Sequence, residues 1–130
     1  MKRAGREQNQ QEGEPLPDGS RWCSTPTGTK FRVSGSISSG AEIWPDKASQ
    51  PIRFSKDFMD DLLNRFRGQK VSIGGRFDFP GRGSLGEFIQ LKLGISTNPA
   101  VYLAGLLIDE GYAESSGRGL ARFFSERKKD

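Results

Sequence analysis

The sequence predicts an α+β domain: a disordered lead, an N-terminal β-hairpin, then helices and short strands. Three observations carry that prediction. Apolar residues recur at helical spacing in three segments, 55–67, 84–93 and 98–110. Residues 30–37 instead alternate, with Phe31, Val33, Gly35 and Ile37 on one side, as a half-buried strand requires. Glycine and proline separate these segments, and no room remains for the repeated strand–helix–strand units of a parallel sheet.

A chain of 130 residues, 33% hydrophobic and 28% charged, supports one modest core. It has no histidine, which removes imidazole metal sites, His-based triads and the commonest general base near neutral pH. Cys23 is the single cysteine, so no intramolecular disulfide forms, and a reducing cytoplasm is the expected setting. No apolar run is long enough to span a bilayer and no signal-peptide pattern is seen, so no membrane partner is expected. Nothing in the composition calls for a cofactor or a metal. The net charge of +4 is unevenly spread. Residues 65–92 carry six basic side chains against two acidic ones; residues 93–117 carry only Asp109, Glu110 and Glu114; residues 118–130 turn basic again. Two basic patches around an acidic segment suit a polyanion partner.

Taken in order, residues 1–29 are rich in Gln, Glu, Gly and Pro, and four acids balance four bases. Such a segment cannot offset its ordering entropy, so a disordered lead is expected. Residues 30–54 read as a hairpin extension: strand Lys30–Ile37, turn Ser38-Ser39-Gly40, return strand Ala41–Trp44, then a short extended piece ending at Phe54. Ser55 is the expected N-cap of a helix, with Asp57 in its first turn to meet the helix dipole. Phe58, Met59, Leu62, Leu63 and Phe66 form its apolar stripe, and Gly68 ends it. Residues 69–73 read as a strand, followed by a glycine-rich loop to Gly83. Ser84-Leu85-Gly86-Glu87 is a capping box opening a helix that Gly94 closes. Asn98 precedes Pro99, which suits a first helical position because its missing N–H is not needed there. Tyr112–Ser115 and Leu120–Phe124 read as two strands, and residues 125–130 as a frayed tail.

The stretch Gly81-Arg82-Gly83-Ser84-Leu85-Gly86 fits G-x-G-x-x-G, and Asp109 follows at about the offset of a ribose-binding acid. However, Asp109 falls near a helix end, and the loop before Ser84 is not tight. The glycines therefore read as releasing the chain from a strand, with Ser84 and Glu87 starting the helix.

Residues 84–124 carry a more specific pattern. Leu93-Gly94-Ile95-Ser96 has the form of a sharp turn between two crossing helices, with Ile95 filling the space between them. Leu107-Ile108-Asp109-Glu110-Gly111-Tyr112-Ala113 has the form of an exit into a two-stranded wing, with Ser115–Gly119 at its tip. With the helix over 55–67 and the strand over 69–73, the order is α-β-α-α-β-β, and residues 55–124 resemble a winged helix-turn-helix domain. That resemblance implies a small DNA-binding protein, a transcriptional or mobile-element regulator. Its second helix, 98–110, would enter the major groove of double-stranded DNA. Ser96, Thr97, Asn98 and Tyr102, with Gly105 beside them, would then face bases; Arg118 and Arg122 would reach phosphates from the wing, and Arg76, Arg82 and Lys92 from the preceding loop and helix.

Two other readings follow from the residues. The presumed recognition helix has no Lys or Arg, and an outward face of Val101, Tyr102 and Leu106 would suit a protein partner or a homodimer. Alternatively, Asp78 with Glu87-Phe88-Ile89-Gln90-Leu91-Lys92 resembles a metal-dependent nuclease core. Asp78 would hold Mg²⁺ and Lys92 would stabilise transition-state charge, provided that 87–92 is a strand. Phe77 and Phe79, interleaved with Arg76 and Arg82, read mainly as loop anchors.

Overall fold

The computed structural model describes residues 19–45, 49–74, 81–95 and 98–128. The elements in chain order are β1 (Arg21–Ser24), β2 (Lys30–Ser36), β3 (Gly40–Trp44), β4 (Ile52–Phe54), α1 (Lys56–Phe66), β5 (Lys70–Ser72), α2 (Leu85–Leu93), α3 (Ala100–Asp109), β6 (Ala113–Ser115) and β7 (Leu120–Phe123). They form two antiparallel sheets, ordered β1-β2-β3-β4 and β5-β7-β6, with three helices. The α+β class stands.

The expected hairpin is the middle of a larger meander. β2 and β3 pair as read, but β4 adds to β3 and β1 adds to β2, with Cys23 opposite Phe31. The expected disorder of residues 1–29 is therefore wrong for Arg21–Ser24; residues 1–18 lie outside the described residues. Sequence RWCS offers one buried side chain, Cys23, so no local pattern marks this strand; its partners on β2 supply the order.

Helix starts and stops follow local chemistry. The Ser55 side chain accepts from the Phe58 amide at 3.0 Å, and α1 buries Phe58, Met59, Leu62 and Phe66. In α2, Ser84 Oγ accepts from the Glu87 amide at 3.0 Å, and Gly94 ends the helix in the left-handed region at φ 65°. The reciprocal half of the capping box is shifted by one residue. Glu87 accepts from the Gly83 amide at 2.7 Å, while the Ser84 amide turns to the Gly81 carbonyl. α3 starts at Ala100, so Pro99 is its N-cap and not its first helical residue, and Asn98, one residue further back, accepts from the Ala100 amide through Oδ1 at 3.0 Å.

A continuous core joins the two sheets. Phe54 of β4 meets Phe58, Phe58 meets Phe88, Phe88 meets Phe66, and Phe66 meets Phe123 of β7, with ring centroids 5.2–5.6 Å apart. Each such ring pair contributes about 0.5–1.5 kcal/mol beyond the apolar area it buries. The residues after β7 also differ from expectation. The Lys128 amide donates to the Gly111 carbonyl at 2.7 Å and Arg127 Nε to the Glu110 carbonyl at 2.7 Å, so residues 125–128 fold back onto the end of α3 rather than fray.

Candidate nucleic-acid interface

The geometry of the candidate interface turns on Ile73 and Gly74, just past β5. The Ile73 amide donates to the Gly119 carbonyl of the β6–β7 loop at 2.8 Å, and the Ile73 carbonyl accepts from the Gly86 amide in the first turn of α2 at 2.9 Å. Asn98 Nδ2 donates to the Gly74 carbonyl at 2.6 Å. The tip between β6 and β7, the start of α2 and the lead into α3 are therefore tied to one short stretch of backbone. Arg118 sits on that tip and Arg82 in the loop entering α2, and both are exposed. No ion pair involves either of them among the described residues.

The other expected phosphate contacts are engaged. Lys92 Nζ lies 3.1 Å from Asp61, and Arg122 Nε donates to Glu114 at 2.7 Å. Both pairs are solvent-exposed. Pairs of that kind contribute only about 0–1 kcal/mol, so a phosphate can displace the carboxylate at small cost. Arg122 belongs to a cross-strand row on the outer face of β5-β7-β6, between Lys70 and Glu114. Lys70 carries no signal in the sequence, because the first residue of a three-residue strand gains meaning only when β7 places it beside Arg122.

Ser96, Thr97, Arg76 and Asp78 lie outside the described residues. Asn98 does not offer its amide to a base edge, because both ends of it are bonded to backbone. Tyr102 is corrected more strongly. It lies against Phe31 of β2, with centroids 5.3 Å apart and planes at 81°. The open apolar face expected from Val101, Tyr102 and Leu106 is likewise covered: Leu106 is fully buried and Val101 and Tyr102 are half-buried against the core. Gly105 explains why. A Cβ there would stand 2.2 Å from the Ser24 carbonyl oxygen, so β1 rests directly on the backbone of α3. The face that would enter a groove is occupied by the first sheet.

One structural anchor lies within the expected exit motif, at Glu110. Glu110 Oε2 accepts from Arg21 at 2.6 Å, and Oε1 accepts from the Ile37 amide at 3.0 Å, clamping the first sheet to the end of α3. The nuclease reading loses its premise, since residues 87–92 lie within α2 and not in a strand. The nucleotide-loop pattern at 81–86 is a helix start, and both sheets are antiparallel. Among the described residues no group of His, Cys, Asp and Glu is arranged to hold a metal ion, and no helix is long and apolar enough to cross a membrane. Comparison with protein-family models, with curated proteins and with solved structures finds no match to this chain.

Proposed function

We propose that this chain is a small DNA-binding protein of winged-helix type that grips the duplex backbone with its wing and sheet, rather than reading bases with α3. The observation that carries the reading is the tie between Ile73, Gly86 and Gly119, which holds Arg118 and Arg82 exposed around one stretch of backbone. The element order α1-β5-α2-α3-β6-β7 and the sheet order β5-β7-β6 support the winged-helix part. Lys70 and Arg122 extend the cationic surface along the sheet. Binding of this kind is dominated by phosphates and has little sequence preference. A cytoplasmic regulator that uses DNA as a platform fits such chemistry.

Fluorescence anisotropy on a random duplex across a salt series tests it. Affinity should fall steeply with salt, and Arg118→Ala and Arg82→Ala should each lower the log–log slope by about one. Failure of the wild-type protein to bind duplex even at low salt would sink the proposal.

A protein-docking role is the second reading, now on a different surface. Leu91 of α2 is 76% exposed, the one large apolar side chain so exposed among the described residues. It borders a groove lined by Phe66, Phe88, Arg65 and Lys92. Leu91→Asp separates the readings: it should spare duplex binding and abolish self-association or partner capture.

A further inference from the structure

The residues that follow β7 form a strap with two cations. Along the second sheet Val71, Ala113, Ala121 and Phe123 are buried, so Lys70, Glu114 and Arg122 point away from the core. The Phe124 amide donates to the Tyr112 carbonyl at 2.9 Å and continues the ladder, which puts the Phe124 ring on the same outer side as Arg122. The Arg122 guanidinium carbon lies 5.2 Å from the centroid of that ring. The chain then turns back along the end of α3. Arg127 is the anchor: its Nε holds the Glu110 carbonyl, and its guanidinium carbon lies 5.2 Å from the centroid of Tyr112. A cation there also complements the C-terminal end of the α3 dipole, so the fold accounts for Arg127. Lys128 is different. Its backbone is seated against Gly111, which takes a left-handed φ of 86° that suits glycine. Its Nζ lies 4.8 Å from the centroid of the same Phe124 ring that Arg122 approaches. Asp109 borders the hollow under the strap, yet neither strap cation pairs with it or with any other acid among the described residues.

We propose that the strap presents Lys128 as a further phosphate contact of the duplex site, on the outer face of the second sheet beside Arg122. This contact rests on the wing-and-sheet reading of DNA binding and extends it. Arg118 precedes β7 and the strap follows it, so the strand lies between two exposed cations. Four residues of strand rise about 13 Å, or about four base pairs of duplex axis. A phosphate backbone crossing the sheet thus meets Arg118 at one end and Lys128 at the other. Lys128 gives up no carboxylate to bind, and an ammonium lying on a ring keeps donors free for a phosphate oxygen. Glu126 is the strap's one acid among residues 125–128, so the placement of Lys128 supplies the attraction, not the strap's charge as a whole.

Anisotropy on a random duplex across a salt series reads the contact. Lys128→Gln, an exposed change, should lower the log–log slope by about 0.9. Two variants unseat the strap and keep every charge. Gly111→Ala would drive a Cβ into the Lys128 carbonyl oxygen. A Gly-Gly insertion after Ser125 lengthens the strap and leaves the core untouched. Each should lower the slope as much as Lys128→Gln does, and adding Lys128→Gln to either should lower it no further. An unchanged slope in Lys128→Gln, with Arg118→Ala still effective, would overturn the strap contact and leave the wing reading standing. A full slope in the insertion variant would overturn it as well, because the lysine would then act from a loose tail. If the wild-type protein binds no duplex, the wing reading itself fails and takes the strap contact with it.

Discussion

Single residues decide whether the two halves of this molecule meet. Gly105 is the sharpest case. In an ordinary helix interior, Gly→Ala stabilises by about 0.5–1 kcal/mol, because alanine loses less backbone entropy on folding. Here the added methyl would stand 2.2 Å from the Ser24 carbonyl oxygen and 3.0 Å from Thr25 Cα, both backbone atoms that cannot rotate away. Gly105→Ala should therefore destabilise, by roughly 1–3 kcal/mol as in other overpacked sites, seen as a lower urea midpoint. Cys23 makes a different prediction. Burial, helped by the charge of Asp109, pushes its thiol up from 9.0 to about 11. The thiol should resist alkylation at pH 8 until the protein unfolds. Between those two pH values the unfolded chain releases a proton that the folded chain keeps. Stability from this residue is thus complete below pH 9 and is lost as pH rises towards 11. The loss should approach about 1.4 kcal/mol per pH unit within that window, and Cys23→Ala should remove that part of the slope in denaturant titrations. Neither effect was legible in the sequence. Gly105 reads as a small residue beside the expected base-facing side chains, and Cys23 as the single cysteine of a disordered lead, because the neighbours that decide each are brought from elsewhere when β1 packs on β2 and α3.

Elements were far more legible. Ser55, Ser84, Gly94 and Asn98 mark helix ends by bonds to backbone groups within four residues, so their chemistry is written locally. Ser84 is the strongest of these: it is 1% exposed, accepts from the Glu87 amide and donates to the Gly81 carbonyl at 2.8 Å. Ser84→Ala should cost about 1–2 kcal/mol in thermal or urea unfolding, because it strips a cap and also removes the shorter of the two donors to the Gly81 carbonyl, leaving only the Ser84 amide at 3.3 Å. Ser84→Asp, which keeps an acceptor, should recover part of that loss. Strands were read well where they alternate, as in β2, and missed where they do not, as in β1. A four-residue edge strand with one buried side chain has no period to detect. Its existence depends on a partner strand and on α3 beneath it.

For the whole molecule, the clamp at Glu110 matters most. Its side chain is only 10% exposed and holds Arg21 and the Ile37 amide, so one carboxylate joins the first sheet to the helical half. Glu110→Ala should destabilise by roughly 2–3 kcal/mol, since it breaks charge-assisted bonds and leaves a part-buried amide unpaired. Arg21→Ala, at the more exposed end of the pair, should cost less. Because Arg21 also donates to the Gly35 carbonyl at 2.8 Å, the Ile37 bond is read from Glu110→Ala made in an Arg21→Ala background: no further loss there would mean that it contributes nothing. The clamp also bears on function, because it keeps the first sheet over α3 and so turns cation placement, not helix insertion, into the proposed route to DNA. The sequence by itself determined the α+β class, the three helices with their caps, the β2–β3 hairpin and the uneven charge. Those features rest on contacts a few residues apart or on composition. Only the tertiary structure decided that residues 21–24 form a strand, that Tyr102 and Leu106 turn inward, and that both tryptophans share one row. The strand and the row depend on partners six to twelve residues away on neighbouring strands, and Tyr102 on Phe31 from the far side of the chain; each meeting is set by burial of a common core and has no local signature.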